Sequence, residues 1–522
     1  MTYQSKAKQI RGFVAVWVGV SLLVAAATFV GIYVGTGELE TATASQPIAP
    51  SDNTTTTSET NVLVFSAPEI VEQAAPEVIE DSTAPVAPAV DEDTTITIAV
   101  ESADNGTTAD TEPVTVAVEA ETGDGPVAEP PQQDGPTPTP APTIPPIQDR
   151  GFNLGVQVLP NYNNDENVMS GYMDAAANQL RLNWVKLQVR WEFAEPQPGV
   201  YDWERLGYDL FFDLAARYNL KVLISVVSAP DWAREAGVNL ETHGPPADNQ
   251  ALANFIGTMI SRYPGRIHAV EVWNEMNLAR EWTSARGLRA ADYVALVTTV
   301  ANTIRFVDPN IIVVSGALSP TGVNDGVNAI DDFVYTDQLI AAGLLNVVDC
   351  FGAHHNGYNI GPRVPSDNVP NDPTAIFRGP FDNPNHSWSF YSTLTTYANK
   401  IRAAGSSVPL CVTEFGWAVT EDLDLSQVGG MIQNFEFAND NTLEEQRDFL
   451  VEAVQMMDEE WDFVWLAFIW NLNFGPEAQW QIRADQPFKD NIPYSLIRTN
   501  YTQSLAWPFI AEFDFRGRAA QP

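Results

Sequence analysis

Two short segments of this chain carry an apolar, β-branched run to a carboxylate: Val270-Glu271-Val272-Trp273-Asn274-Glu275 and Leu410-Cys411-Val412-Thr413-Glu414-Phe415-Gly416. A charge closing a buried strand is expensive unless it meets a partner or a substrate. Two such charges suit cleavage of a glycosidic bond. One carboxyl protonates the leaving oxygen, and the other attacks or supports the sugar carbon. Glu275 and Glu414 are therefore the candidate catalytic pair. Glu271, four positions before Glu275, reads instead as a satisfied interior charge.

The elements that must position this pair begin at Arg150. Strand-like runs are expected at 152–158, 184–189, 221–227, 268–273, 311–315, 347–353, 409–413 and 464–470. Helical patterns alternate with them at 169–181, 204–218, 249–262, 288–306, 331–342, 388–404, 442–459 and 503–513. Alternating βα units predict an α/β fold with a parallel sheet. Eight of each over residues 150–522 predict a (β/α)8 TIM barrel. Insertions are expected at 356–387, after the sixth strand, and at 418–441, after the seventh. Barrel sites are assembled from strand carboxyl ends. Here those ends supply Arg190-Trp191, Asn274-Glu275, His354-His355, Glu414 and Trp470-Asn471. Indole faces stack on the apolar C–H faces of sugars, while Arg, Asn and His serve hydroxyls and carboxylates.

On these residues the chain resembles the clan A glycoside hydrolases, and is most similar to families 5 and 39. Trp273-Asn274-Glu275 resembles their fourth-strand Asn-Glu signature, and Thr413-Glu414-Phe415-Gly416 the seventh-strand segment bearing the nucleophile. Arg190-Trp191, with Glu195-Pro196 and Gly199-Val200-Tyr201-Asp202-Trp203, looks like their second-strand motif. The resemblance implies that Glu275 is the general acid/base and Glu414 the nucleophile. It implies that Asn274 binds the hydroxyl beside the reacting carbon, Arg190 holds Glu414 ionised, His354 lines the subsite and Trp470 is the sugar platform. Retention then requires carboxyls about 5–5.5 Å apart, with Glu275 kept protonated. Two positions depart from the pattern. Met276 stands where these families read Pro, and Asn356 stands at the sixth-strand tyrosine. Tyr358, two residues further on, is the tyrosine assigned to the substrate site.

The rest of the chain bounds where such chemistry happens. Of 522 residues with a net charge of −40, positions 36–149 hold 22 Asp and Glu and no Lys or Arg. That one-signed, Thr/Pro-rich stretch has few aromatic residues, so it is read as a disordered acidic linker. The charge balance argues against nucleic acid as a partner, since phosphate binding needs clustered Lys and Arg. Gly12 to Gly35 contains no charged residue. As a helix its 24 residues would reach about 36 Å, against about 30 Å of hydrocarbon. Lys6, Lys8 and Arg11 precede it and hold that end in the cytoplasm. The reading is a cytoplasmic tail (1–11), a transmembrane anchor (12–35), the linker, and a catalytic domain (150–522) outside the cell membrane. If the anchor is cleaved, the domain is secreted.

Cys350 and Cys411 each fall inside a predicted strand and are read as two buried thiols acting as small apolar residues. The strands can be neighbours, which leaves a bridge as the alternative. No spacing resembles a zinc or redox motif, and no metal or cofactor is expected. The sequence thus predicts a monomeric retaining glycosidase, cellulase-like or xylosidase-like, acting on a β-linked polysaccharide or oligosaccharide. The alternative is a non-catalytic carbohydrate-binding cell-surface protein on the same barrel, which would need aromatic platforms but not the acid pair.

Overall fold

The computed structural model describes residues 151–370, 385–423, 436–481 and 491–519. The expected tail, anchor and linker, and the central parts of both insertions, lie outside the described residues. Among the described residues no helix is long and apolar enough to cross a membrane.

Eight parallel strands form the barrel: β1 Asn153–Gln157, β2 Trp184–Arg190, β3 Lys221–Val227, β4 Ala269–Val272, β5 Ile312–Ser315, β6 Phe351–Gly357, β7 Leu410–Trp417 and β8 Val464–Ile469. They pair in the order β5-β4-β3-β2-β1-β8-β7-β6. Parallel bridges Val314–Cys350 and Leu318–Ala353 link β5 to β6 and bring the barrel round. Closure at that seam needs Gly352, because a Cβ there would lie 2.0 Å from the Ser315 carbonyl oxygen. Helices follow each strand: α1 Glu166–Asp174, α2 Tyr208–Arg217, α3 Asn249–Arg262, α4 Ala290–Val307, α5 Asp332–Ala341, α6 Phe390–Ala403, α7 Leu443–Gln455 and α8 Trp507–Glu512.

The period of two along each strand sorts side chains between two cores. On β2, Val185, Leu187 and Val189 join the large core between strands and helices. Trp184 faces the barrel axis, where it clusters with Leu223, Ile312, Trp465 and Phe468. Gly155 makes room for that filling, since a Cβ there would lie 2.5 Å from the Phe468 ring and 2.8 Å from Trp184 Cβ. The floor of the barrel is thus packed with large rings.

The expected strands and helices all appear, with β3 and α3 at their expected bounds. The largest displacement is β6, expected over 347–353 and found four residues later. Leu344–Asn346 forms a 3-10 turn, and Asp349 uses its carboxylate to accept the Val313 N–H at 2.9 Å. The apolar pair Val347-Val348 therefore precedes the strand, and His354 and His355 lie within it. β7 is also longer than expected and continues past Glu414 to Trp417.

The two cysteines are a correction. Cys350 and Cys411 form a disulfide with Cα atoms 5.8 Å apart, rather than two free thiols. β6 and β7 are neighbours with Gly352 opposite Cys411. This pairing brings the two thiols together at the start of both strands.

Candidate active site

The fourth strand ends abruptly. Trp273 and Glu275 both take left-handed backbone angles, φ 77° and φ 41°. For residues of this size such angles cost on the order of 1–3 kcal/mol each and persist only where surroundings impose them. Here Trp273 donates its backbone N–H to Val226 O at 3.0 Å and its indole N–H to Glu281 O at 3.0 Å. Glu275 N–H is held by Ala317 O at 2.9 Å. Met276 is fully buried and lies over Gly316, where a Cβ would meet its methyl at 2.6 Å. The exchange of Pro for Met therefore leaves a turn fixed by packing. The turn brings the largely buried Glu275 carboxylate to the barrel mouth with Asn274 beside it. The Asn274 side-chain oxygen is buried and accepts no hydrogen bond from the described residues.

Glu414 arrives by a different device. Its strand carries one extra residue relative to both neighbours, with register shifts opposite Ala353/His354 on β6 and between Val412 and Phe415 beside β8. Consecutive strand residues normally point to opposite faces, and a bulge re-aims them. Thr413 and Glu414 consequently both reach the barrel interior. Thr413 donates its hydroxyl to Glu271 Oε1 at 2.6 Å, and Glu414 Oε1 accepts from Lys186 Nζ at 3.0 Å.

His354 joins the two expected carboxylates. Its Nδ1 is 3.3 Å from Glu275 Oε1, and its Nε2 is 3.7 Å from Glu414 Oε1 and 4.0 Å from Glu271 Oε1. One imidazole therefore lies within 4 Å of both carboxylates. Burial works against the charged ring, but Glu414 and Glu275 outweigh it and raise the His354 pKa. Lys186 lies deeper, fully buried, 3.5 Å from Glu271 Oε2 as well as 3.0 Å from Glu414. Burial lowers its pKa and the two carboxylates raise it further, so the ammonium stays charged. Lys186, Glu271 and His354 come from β2, β4 and β6, the alternate strands that share one layer of a barrel. Glu271 is thus the satisfied interior charge expected, held by Lys186 and Thr413.

Two sequence-based roles require correction. Arg190 does not hold Glu414. Its Nε donates to Glu192 at 2.9 Å, and its guanidinium lies 3.3 Å from His243 Nε2 at the rim. The cation beside Glu414 is Lys186, at 3.0 Å. Arg190 is four residues further along β2, and this carries it past the depth at which Glu414 enters. The second correction concerns Glu275, which was expected to be protonated. Burial raises its pKa, but His354 and Arg280 more than reverse that and hold it down at about 2. Arg280 Nη2 donates to Glu275 Oε2 at 3.0 Å. Its Nε also stands 3.6 Å from Glu281, whose carboxyl is pushed up to about 7 by burial and by the Glu275 charge.

The aromatic candidates divide. Trp470 follows directly on β8, with its ring 5.9 Å from Lys186 Nζ and packed on Phe474 at 5.2 Å. Tyr358 packs against Phe437, and its phenol is pushed up to about 12 by burial and by the Glu275 charge. It therefore feels the charge of Glu275 from a position just beyond β6. Trp282, Trp388 and Trp417 are buried packing residues. Glu195 of the second-strand motif is structural, accepting the Trp191 indole N–H at 2.7 Å and the Gly199 N–H at 2.8 Å.

Among the described residues one group, Asp331, Asp332 and His386, has the spacing of a metal site. Asp332 already accepts from Tyr397 O–H at 2.6 Å and Thr321 N–H at 2.9 Å and faces His386 Nε2 at 2.8 Å. His386 is stacked on Phe333 with centroids 3.8 Å apart. The group reads as a network fastening α5 to α6.

The fold and site together define a (β/α)8 barrel with one glutamate, Glu275, just beyond β4 and a second, Glu414, at the bulge within β7. In fold the chain is similar to a family 39 glycoside hydrolase from Bacteroides cellulosilyticus (18% identity, 71% of this chain, 64% of that one, TM-score 0.47). It is also similar to a family 39 enzyme from Xanthomonas axonopodis pv. citri (16%, 70%, 66%, 0.46). A third such structure is an exo-β-1,4-mannosidase from Opitutaceae bacterium strain TAV5 (17%, 71%, 60%, 0.45). The chain spans less than two thirds of the length of each. No protein-family model and no curated protein sequence matches it.

Proposed function

We propose that this protein is a retaining O-glycosidase that cleaves a β-linked polysaccharide or oligosaccharide by double displacement. The observation that supports this most directly is one imidazole, His354, facing Glu275 with one nitrogen and Glu414 with the other. Glu414, hydrogen-bonded by Lys186, attacks the anomeric carbon while Glu275 protonates the departing oxygen. Glu275 then removes a proton from water as the covalent glycosyl ester on Glu414 is hydrolysed. Asn274 offers its amide group to a sugar hydroxyl, and Trp470 offers its indole face to the ring. His354 and Tyr358 set the polarity around Glu275. Arg190, paired with Glu192 at the rim, is assigned to the outer part of the cleft. The reaction as proposed uses no metal or cofactor.

The same reading places the barrel outside the cytoplasm as a monomer, tethered by residues 12–35 through the acidic linker, with no nucleic-acid partner. The Cys350–Cys411 disulfide supports an exported barrel, because such bonds persist in oxidising compartments.

The test is covalent trapping. The full-length protein is incubated with 2-deoxy-2-fluoro-β-glucosyl, mannosyl and xylosyl fluorides and digested for mass spectrometry. A glycosyl mass on the peptide bearing Glu414, absent from the Glu414→Ala variant, is the expected result. Turnover of β-glycosides with inversion at the anomeric carbon, or turnover undiminished in Glu414→Ala, would sink the proposal.

A further inference from the structure

Arg280 lies five residues beyond Glu275 on the same loop and spans two carboxylates. Its Nη2 is 3.0 Å from Glu275 and its Nε 3.6 Å from Glu281, and its side chain is 68% exposed against 15% and 20% for theirs. One long, water-facing cation therefore bridges two largely buried acids. A general acid must hold its proton before it can donate it. In this arrangement Glu275 is held at about 2, while Glu281 retains its proton up to about 7. With the guanidinium on its Oε2, Glu275 is favoured as the carboxylate, the form that cannot protonate a departing oxygen.

The other charges around the pair are fixed by burial. Glu275 faces His354 from β6 and is felt by Tyr358 beyond it. Glu414 and Lys186 stand behind His354, with Glu271 below. Glu281 feels Glu275, Arg280, Arg190 and Glu414. Of the three basic side chains nearest the catalytic carboxylates, Lys186 is fully buried, His354 is 1% exposed, and Arg280 alone reaches into solvent. It is also the one with a second carboxylate already within reach.

We propose that Arg280 is a substrate-operated positioning residue. When the leaving-group sugar enters beside Glu275, it moves the guanidinium fully onto Glu281, and Glu275 takes up the proton it will donate. The exchange balances: Glu281 releases one proton to solvent and becomes the carboxylate paired with Arg280, and Glu275 gains one proton from solvent. The guanidinium keeps an anionic partner throughout, so its displacement leaves no buried charge unpaired. The ligand class is a neutral sugar whose hydroxyls replace the guanidinium contacts. This inference rests on the glycosidase reading above.

The experiment uses the full-length protein on a panel of β-1,4-linked gluco-, manno- and xylo-oligosaccharides, whose poor leaving groups need the acid. The basic limbs of kcat/KM and kcat report the acid in free enzyme and in complex respectively. Wild type should show the kcat limb at least about one pH unit above the kcat/KM limb, a tenfold effect in proton affinity. Arg280→Ala should raise the kcat/KM limb until the two coincide. Glu281→Gln should do the opposite and lower the kcat limb, because Arg280 loses its alternative partner. Limbs that coincide in wild type, or that stay in place in both variants while only KM changes, overturn the proposal. Absence of turnover across the panel would instead remove the glycosidase reading itself.

Discussion

The ammonium of Lys186 stands 3.0 Å from Oε1 of Glu414, with the lysine side chain fully buried. A buried charge is tolerated only when paired and hydrogen-bonded. Lys186 meets this with Glu414, Glu271 at 3.5 Å and the Thr413 carbonyl at 3.2 Å. His354 and Arg280 complete the balance against Glu275. The barrel mouth is therefore a nearly neutral lattice of alternating charge, and removing one member leaves another exposed to low dielectric.

Lys186→Met should destabilise the protein by about 3–5 kcal/mol, the cost of stranding one half of a buried pair. Without the cation Glu414 loses the hydrogen-bond donor that orients its Oε1, so kcat/KM should fall. Urea unfolding and steady-state kinetics check both effects. Lys186→Arg keeps a charged donor and should retain more activity than Lys186→Met.

Glu275→Gln removes the proton donor while keeping its shape. Turnover of poorly activated glycosides should fall by roughly 10²–10⁴-fold, with a much smaller loss on aryl glycosides whose leaving groups need no proton. Equal losses on both substrate types would take Glu275 out of the acid role.

Stability should depend on pH in opposite senses at the two ends of the Arg280 bridge. Glu275 is held at about 2 against an ordinary 4.5. Its contribution is complete above pH 4.5 and lost as pH falls toward 2. Glu281 is raised from 4.5 to about 7, so its stabilising protonated form is lost as pH climbs through 7. Thermal unfolding from pH 2 to 8 should show Glu275→Gln flattening the acid side and Glu281→Gln the neutral side.

The disulfide joins residues 61 apart in sequence. On a chain-entropy basis a loop of that length contributes about 4 kcal/mol. The double variant Cys350→Ala/Cys411→Ala should therefore lower the urea midpoint without changing the barrel's circular dichroism. An unchanged midpoint would mean that the bridge constrains nothing in the unfolded chain.

Most of the barrel was legible because period-two runs and helical faces carry their own signal, as β3 and α3 show. Glu275 and Glu414 stood out because each closes an apolar run. Lys186 did not. In Trp184-Val185-Lys186-Leu187-Gln188-Val189-Arg190 the residues Lys186, Gln188 and Arg190 share one face. Arg190 looks the better partner on sequence alone because it ends the strand. A search for charges inside strands, and not only at their ends, would have paired Lys186 with Glu271. Arg280 and Glu281 gave no signal, since an Arg-Glu step in a loop is ordinary.

The chain by itself fixed which residues carry charge, which runs alternate, and hence the eightfold βα order and the two glutamates. These follow from local side-chain patterning. Depth did not follow. Stagger between neighbouring strands and the bulge on β7 decide which residue along each strand arrives at the same level as Glu414. Only the closed barrel could select Lys186 over Arg190, bring two cysteines into a bond, and set Arg280 between two carboxylates.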